Sequence, residues 1–267
     1  MNTGSGLWKC HRCGASGILE EYRSQDYSRV NPQYTTTYRQ RLFQDDARQQ
    51  QSNDSKWRKW LTGLQPLHDT SGAEYLQSRG LSIELAMKAE VKYHPAWFGC
   101  KPAVVFPIRD QNRILVAAHG RYISDTPSSP RMRSAGSIKQ GVFQTTNAFT
   151  GQILCVTEAP IDALTLMASG LPAVATCGAK NFPSWFPVAC KNKRILIAYD
   201  PDQAGEDGAQ MLYHALRDQH ISPERFTPNQ GDWNDNLQKY GLNALKQAID
   251  AAIISTPKNI GEYSGIH

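Results

Sequence analysis

The chain has 267 residues, 40% hydrophobic and 20% charged, which suits one large soluble domain or a domain with appendages. A net charge of +5 and an isoelectric point near 8.8 permit a polyanionic partner without demanding one. No apolar run reaches the roughly 18 residues of a membrane span, and no basic-then-apolar leader opens the chain, so the expectation is a cytoplasmic protein with reduced thiols and no membrane partner.

Residues 7–22, LWKCHRCGASGILEEY, read as a knuckle around a CxxC pair. Of the six cysteines, only Cys10 and Cys13 have ligand-like spacing; a structural zinc takes four ligands, so these two make a partial Zn²⁺ site. A redox role for the pair lacks the preceding strand of a thioredoxin-like motif. Cys155 and Cys177 lie in apolar stretches and read as buried small hydrophobes. Residues 23–54 are polar and Gln-rich and read as a linker.

Order resumes near Ser55, where Trp57, Trp60, Leu61 and Leu64 have helical spacing. Two short helices follow in SGAEYLQSRGL and SIELAMKAEV, with Gly80 stopping the first and Ser82 capping the second. Cys100 then follows a segment read as helical. PAVVFPIRD and RILVAAHGRYI read as two strands around a turn at 110–112, and SSPRMRSAGSIKQGVF as a basic loop. Arg131, Arg133 and Lys139 stand among serines and glycines there, where backbone and guanidinium can approach a phosphate closely. The plain alternative for that stretch is a solvated surface loop.

From Gly151 strands and helices alternate. QILCVTE, PAVATCG and RILIAYD are strands, and RFTP is a candidate edge strand. PIDALTLMASG, AGEDGAQMLYHALRDQ and NDNLQKYGLNALKQAIDAAI are helices, the second with Met211, Leu212, Ala215 and Leu216 on one side. Such alternation implies a parallel sheet with helices on both faces. Residues 255–267 read as a tail.

In an open parallel sheet, ligands gather at the carboxyl ends of the strands. One strand here ends in Glu158, and another in Asp200 with Asp202 two residues on. An extended YDPD, favoured by Pro201, turns both aspartates to one side. Three neighbouring carboxylates repel unless a cation cancels their charge, and Mg²⁺ suits one or two carboxylates plus substrate phosphates. The plain alternative is that such acids cap helices or form turns. Asp162, four residues after Glu158, reads as such a helix-start residue.

CVTEAPIDALTL followed by IAYDPDQAGEDGA resembles the Toprim domain, an acid after one strand and Asp-x-Asp after a later one. The segments AVVFPIRDQNRILVAAHGR, SPRMRSAGSIKQGVF and AEYLQSRGLSIELAMKAEVKYHP resemble the preceding core of DnaG-like primases, particularly phage- or plasmid-type ones. LWKCHRCGASGILEEY resembles the second half of the primase zinc ribbon. The resemblance covers most of the chain outside the linker and tail. It implies an α/β fold: a Toprim domain preceded by a smaller α+β primase subdomain. The divisions would be 1–22 partial ribbon, 23–54 linker, 55–150 N-terminal subdomain with the basic loop, 151–254 Toprim domain with a C-terminal helix, and 255–267 tail.

The resemblance further implies template-directed RNA primer synthesis on single-stranded DNA from NTPs, using Mg²⁺ or Mn²⁺. Glu158, Asp200 and Asp202 match the catalytic and metal-binding positions. GDWNDN resembles a third acidic motif, making Asp232 a further ligand, with Asn234 and Asp235 nearby and Trp233 inside the motif. Arg121, Arg131 and Lys139 match nucleotide- or template-facing positions, with Arg133 and Arg109 as weaker candidates. Two other readings share parts of this pattern: a Toprim nuclease, which needs no triphosphate-binding basic segments, and a non-catalytic single-strand-binding accessory module, against which the acids argue. A topoisomerase needs a nucleophilic tyrosine in a further large domain. The sequence has no GxxxxGK[ST] loop, so an unwinding partner is expected to be a separate replicative helicase or a further segment.

Overall fold

A computed structural model describes residues 7–9, 16–18, 56–124, 130–228 and 230–254. The chain divides into two compact units, residues 1–53 and 54–267. In the first, β1 (Leu7–Lys9) and β2 (Ser16–Ile18) pair as an antiparallel ribbon with Trp8 opposite Gly17. Cys10 and Cys13, the 23–54 linker and the 255–267 tail lie outside the described residues.

The second unit is built on one nine-stranded sheet. Its strands are β3 (Lys92–Trp97), β4 (Lys101–Arg109), β5 (Leu115–Tyr122), β6 (Met132–Gly136), β7 (Val142–Gln144), β8 (Ile153–Thr157), β9 (Ala173–Ala175), β10 (Arg194–Ile197) and β11 (Glu224–Arg225). They run in the order β11-β10-β8-β9-β7-β4-β5-β6, with β3 also on β4. The pairs β8–β9, β8–β10 and β10–β11 are parallel. From β7 onward every pairing is antiparallel. The two halves of the sequence are therefore joined edge to edge, because β7 pairs with β4 on one side and β9 on the other.

Among the described residues, the helices that flank the sheet include α1 (Ser71–Ser78), α2 (Ile83–Lys88), α3 (Pro160–Ala168), α4 (Phe186–Ala189), α5 (Gln203–Arg217) and α6 (Trp233–Ile254), the last kinked at Gly241. Side chains alternate across the parallel strands as a two-residue period requires. Cys155, Leu196 and Ala198 pack with Leu164 and Leu166 of α3 and Trp233 and Leu237 of α6. Leu154, Val156, Ile195 and Ile197 pack with Phe186 of α4 and Leu212 and Leu216 of α5. Both faces of the parallel half are thus buried under helices, as the alternation of elements implied. A third cluster, with Trp57, Trp97, Val105, Ala118 and Tyr122, covers one face of the antiparallel half.

Local signals held at the helix ends. Ser82 Oγ accepts the Leu85 amide at 3.1 Å to cap α2, and Gly80 takes the left-handed φ of 73° that ends α1 with little steric cost. Four expectations are corrected. The basic loop is ordered structure: residues 132–136 extend against β5 with His119 opposite Ser134 and Arg121 opposite Met132, and a 3-10 turn at Ile138–Gln140 leads into β7. Pairing with the preceding strand outweighed a Ser/Gly-rich composition. The segment before Cys100, read as helical, is β3, whose Pro95 is accommodated where the register shifts between His94 and Trp97. The Trp57–Leu64 stretch closes as a 3-10 turn at Lys59–Leu61 instead of continuing as a helix. Met211 is exposed, and α5 buries Gly205, Gly208, Ala209, Leu212 and Leu216. Among the described residues no helix is long and apolar enough to cross a membrane.

Candidate active site

The parallel strands end side by side, and their carboxyl ends carry the acids. Glu158 follows β8, and its carbonyl accepts the Gly178 amide at 3.2 Å, which fixes its backbone. Pro160 at the first turn of α3 then sends the chain away without wasting an amide donor. Glu158 Oε1 accepts the backbone amide of Asp200 at 3.3 Å, so the two strand ends touch through one carboxylate. Gly205 of α5 makes that closeness sterically possible. A Cβ there would overlap the Asp200 carbonyl and lie 2.7 Å from Glu158 Oε1.

Two expected ligands also serve as helix caps. Asp202 Oδ1 accepts the Gly205 amide at 2.7 Å at the start of α5. Asp232 Oδ1 accepts the Asp235 amide at 2.6 Å, and Asp235 Oδ2 lies 3.5 Å from the Asp232 amide, a reciprocal box at the start of α6. In each capping aspartate the second oxygen stands outside these contacts. Asp162 is buried in α3, and its Oδ1 accepts the Asn234 amide at 3.1 Å.

These carboxylates feel one another. Burial, then Asp200, pushes Glu158 up to about 7. Burial, then Asp232 and Asp202, pushes Asp200 up to about 6. Burial raises Asp232. Burial, followed by repulsion from Asp232 and Asp200, raises Asp162 well above the usual carboxylate range. The structure thus brings Glu158, Asp200, Asp202 and Asp232 into one electrostatic neighbourhood and adds Asp162, expected only as a helix-start residue. Among the described residues no three acids, histidines or cysteines already surround a single point closely enough to hold an ion. The donor chemistry still fits a hard divalent cation: carboxylate oxygens only, crowded at a rim, at the cost of mutual repulsion that such an ion relieves.

Asn234 and Trp233 face elsewhere. Asn234 is fully buried, donating to Arg79 O at 2.9 Å and Thr165 Oγ1 at 3.1 Å, and accepting from Arg79 Nη1 at 3.3 Å. Trp233 is buried, stacks on Phe226 with centroids 4.6 Å apart, and donates to the Ala198 carbonyl at 3.0 Å. Both moor the start of α6 to its neighbours, and the tryptophan does not present a face to a base.

The cations do not share one surface. Arg121 lies opposite Met132 across the β5–β6 pair, and Arg133 lies opposite Gly120, one residue out of phase. They therefore project from opposite faces of the sheet. Arg133 places its guanidinium carbon 3.9 Å above the Phe98 ring. Buried His119 sits on the Arg121 face with its Nδ1 2.8 Å from Ser134 Oγ, and burial, aided by Arg121, lowers it to about 4. Arg131 and Lys139 are exposed. Arg109 is committed to an ion pair with Glu90 and to the Arg113 carbonyl.

Sequence reasoning missed one residue outright. Arg225, in the two-residue edge strand β11, sends its guanidinium beneath the Asp200 turn, where it meets the carbonyls of Ile197, Tyr199 and Asp200. The one available signal was its position directly at the predicted edge strand.

Residues 155–237 match the family described as Toprim-like. A DNA primase from Haemophilus influenzae is 25% identical over 231 residues, covering 69% of this chain and 39% of that protein. The chain therefore spans well under two thirds of that relative's length. A DnaG primase catalytic domain bound to ssDNA superimposes with a TM-score of 0.57 at 18% identity, covering 76% of this chain and 80% of that one. The zinc-binding and RNA polymerase domains of the Aquifex aeolicus primase give 0.57 at 17% identity over 93% of this chain and 73% of theirs. The primase fragment of the bacteriophage T7 primase-helicase gives 0.53 at 21% identity, with 72% and 80% covered. These likenesses establish a Toprim-like domain within the fold of the DnaG primase catalytic core.

Proposed function

We propose that the chain is a DnaG-like primase core that makes short RNA primers on single-stranded DNA by metal-assisted nucleotidyl transfer. The observation that carries this reading is the contact between Glu158 and the Asp200 amide at the rim of a Toprim-like sheet, within the fold of primase catalytic cores. In the reaction, the 3′-oxygen of one ribonucleotide attacks the α-phosphorus of the next, the bond to the bridging oxygen breaks, and pyrophosphate leaves. Mg²⁺ or Mn²⁺, held by Glu158, Asp200, Asp202 and Asp232, would supply positive charge to phosphate oxygens and to the attacking hydroxyl.

The chain's own groups divide the remaining work. Glu158, raised to about 7, is suited either to take the hydroxyl proton on Oε2 or to bind a cation there, since Oε1 faces the Asp200 amide. Asp202 and Asp232 couple the rim to α5 and α6 through their caps, which keeps their free oxygens in register. Arg121, on the His119 face, is proposed to steady phosphates. Arg131, Arg133 and Lys139 are proposed to add sequence-independent grip on the template, each contact contributing to salt dependence. Cys10 and Cys13 are proposed as two ligands of a Zn²⁺ knuckle flanked by β1 and β2. The proposed setting is cytoplasmic replication, alongside a helicase carried on another polypeptide or an adjoining segment.

The test is a primer-synthesis assay with labelled single-stranded template and NTPs, in Mg²⁺ and in Mn²⁺, on wild type and Asp200→Asn. New RNA made by wild type alone supports the reading. Shortened DNA without new RNA would replace it with a Toprim nuclease.

A further inference from the structure

The strand end that carries Asp200 and Asp202 is a backbone problem before it is a catalytic one. β10 stops at Ile197, and residues 198–202 run on without a full ladder, so their carbonyls need donors from elsewhere. Trp233 serves Ala198, the Glu206 amide serves Asp202, and Arg225 serves Tyr199 and Asp200 together with the last carbonyl of β10. Arg225 Nη1 donates to Ile197 O at 3.0 Å and Tyr199 O at 2.8 Å, and its Nη2 donates to Asp200 O at 3.0 Å. The same guanidinium reaches Glu206 on α5, with Nη2 at 2.5 Å and Nε at 3.1 Å from Oε1. All five N–H donors of the fork are thus directed at partners, and only 11% of the side chain is exposed.

Neighbouring contacts tighten the arrangement. Glu224, the other residue of β11, holds Arg194 at the start of β10 through two 2.8 Å bonds. A strand of two residues therefore grips β10 at both ends. On the far side of the turn, Asp202 caps α5 and Glu206 stands in that helix's first turn. The Asp200–Asp202 turn lies between a clamp on the Asp200 carbonyl and the strand end before it, and a cap made by the Asp202 side chain, both tied to the same helix. Arg225 also adds a positive charge close to Glu158 and Asp200, which opposes their repulsion.

We infer that Arg225, braced by Glu206, is a positioning residue that holds the Asp200–Asp202 turn in the shape needed to bind a divalent cation. This rests on the reading of the acidic rim as a metal site and says how that site is held. Geometry distinguishes it from a general stabilising ion pair. Three of its contacts are to main-chain oxygens, those of Ile197 and Tyr199 leading into the turn and that of Asp200 within it, and a lysine, with three donors on a single point charge, cannot reproduce the fork.

The experiment compares wild type with Arg225→Lys, Arg225→Ala and Glu206→Gln, all as the full chain. Mn²⁺ binding is followed by electron paramagnetic resonance without nucleotide, and kcat and KM for NTP by primer extension. Arg225→Lys should melt within a few degrees of wild type. It should bind Mn²⁺ roughly 10–100-fold more weakly, the range seen when partners of metal ligands are altered, and lose kcat with NTP KM little changed. Glu206→Gln should shift the same quantities in the same direction by less. Arg225→Ala should add a fall in melting temperature. Wild-type Mn²⁺ affinity in a folded Arg225→Lys protein overturns the inference while leaving the metal site standing. A wild type that binds no Mn²⁺ overturns the metal reading itself, and this inference with it.

Discussion

Glu158→Gln should stabilise the metal-free protein while abolishing its chemistry. Glu158 ionises near 7 instead of its ordinary 4.5 because burial and the Asp200 carboxylate oppose its charge. A gap of that size corresponds to roughly 3 kcal/mol, but the side chain is only half-buried and solvent screening reduces this to roughly 1–2 kcal/mol. The sign follows from proton counting. Below about 4.5 the group is protonated in folded and unfolded chains alike and costs nothing. Between there and about 7 the unfolded chain releases its proton first, so stability falls as pH rises; above 7 the full penalty is present. Glutamine keeps an oxygen for the Asp200 amide and carries no charge. In EDTA the variant should therefore melt roughly 3–6 °C above wild type at pH 8, with the gain shrinking toward zero near pH 4.5. Excess Mg²⁺ should narrow the gap at pH 8 by neutralising the wild-type rim. Thermal unfolding followed by circular dichroism across that pH range, with and without Mg²⁺, measures all of this. A variant no more stable than wild type at pH 8, or a gain independent of pH, would refute the claim that this carboxylate is held at an energetic cost.

Gly205→Ala should reverse the ordinary helix trend: propensity favours alanine by roughly 1 kcal/mol, but the added Cβ meets the Asp200 carbonyl and Glu158 Oε1, an overlap worth roughly 1–3 kcal/mol. Chemical denaturation should show a net loss, and primer synthesis should fall with it. Asp200→Asn should lower primer synthesis at least roughly 100-fold, several kcal/mol of lost charge stabilisation, with no drop in melting temperature, because the charge removed is already opposed by burial and by Asp232. Asn234→Ala should cost roughly 2–3 kcal/mol in urea unfolding, since it strands the Arg79 carbonyl and removes the acceptor of the Arg79 guanidinium, yet should leave Mn²⁺ affinity unchanged. A large loss of Mn²⁺ affinity there would return Asn234 to the set of ligands.

The alternation of strand and helix after Gly151 was readable because each element announces itself locally. QILCVT and RILIA are short β-prone runs, Gly170 stops one helix, and Asp202 caps another. The antiparallel half was less legible. Residues 132–136 have little strand character of their own and become β6 only because β5 offers an edge. Likewise β3 carries a proline and bends at it. In both, the composition of the strand's own residues argues against the strand, and the partner's hydrogen bonds decide it. The choice between cap and ligand for Asp202 and Asp232 was also open in the sequence, and the structure shows the caps directly.

By itself, then, the amino-acid order determined where the acids fall along the chain, since β-period, capping chemistry and the Pro201 constraint are properties of neighbouring residues. Only the tertiary structure decided which distant groups meet them. Asp162 joins the rim because α3 packs beside α6, Arg133 leaves the Arg121 face because one residue of register inverts a strand's side, and Arg225 reaches beneath Asp200 because β11 adds to the sheet edge next to β10. Each of these depends on contacts between residues far apart in sequence, which no local pattern encodes.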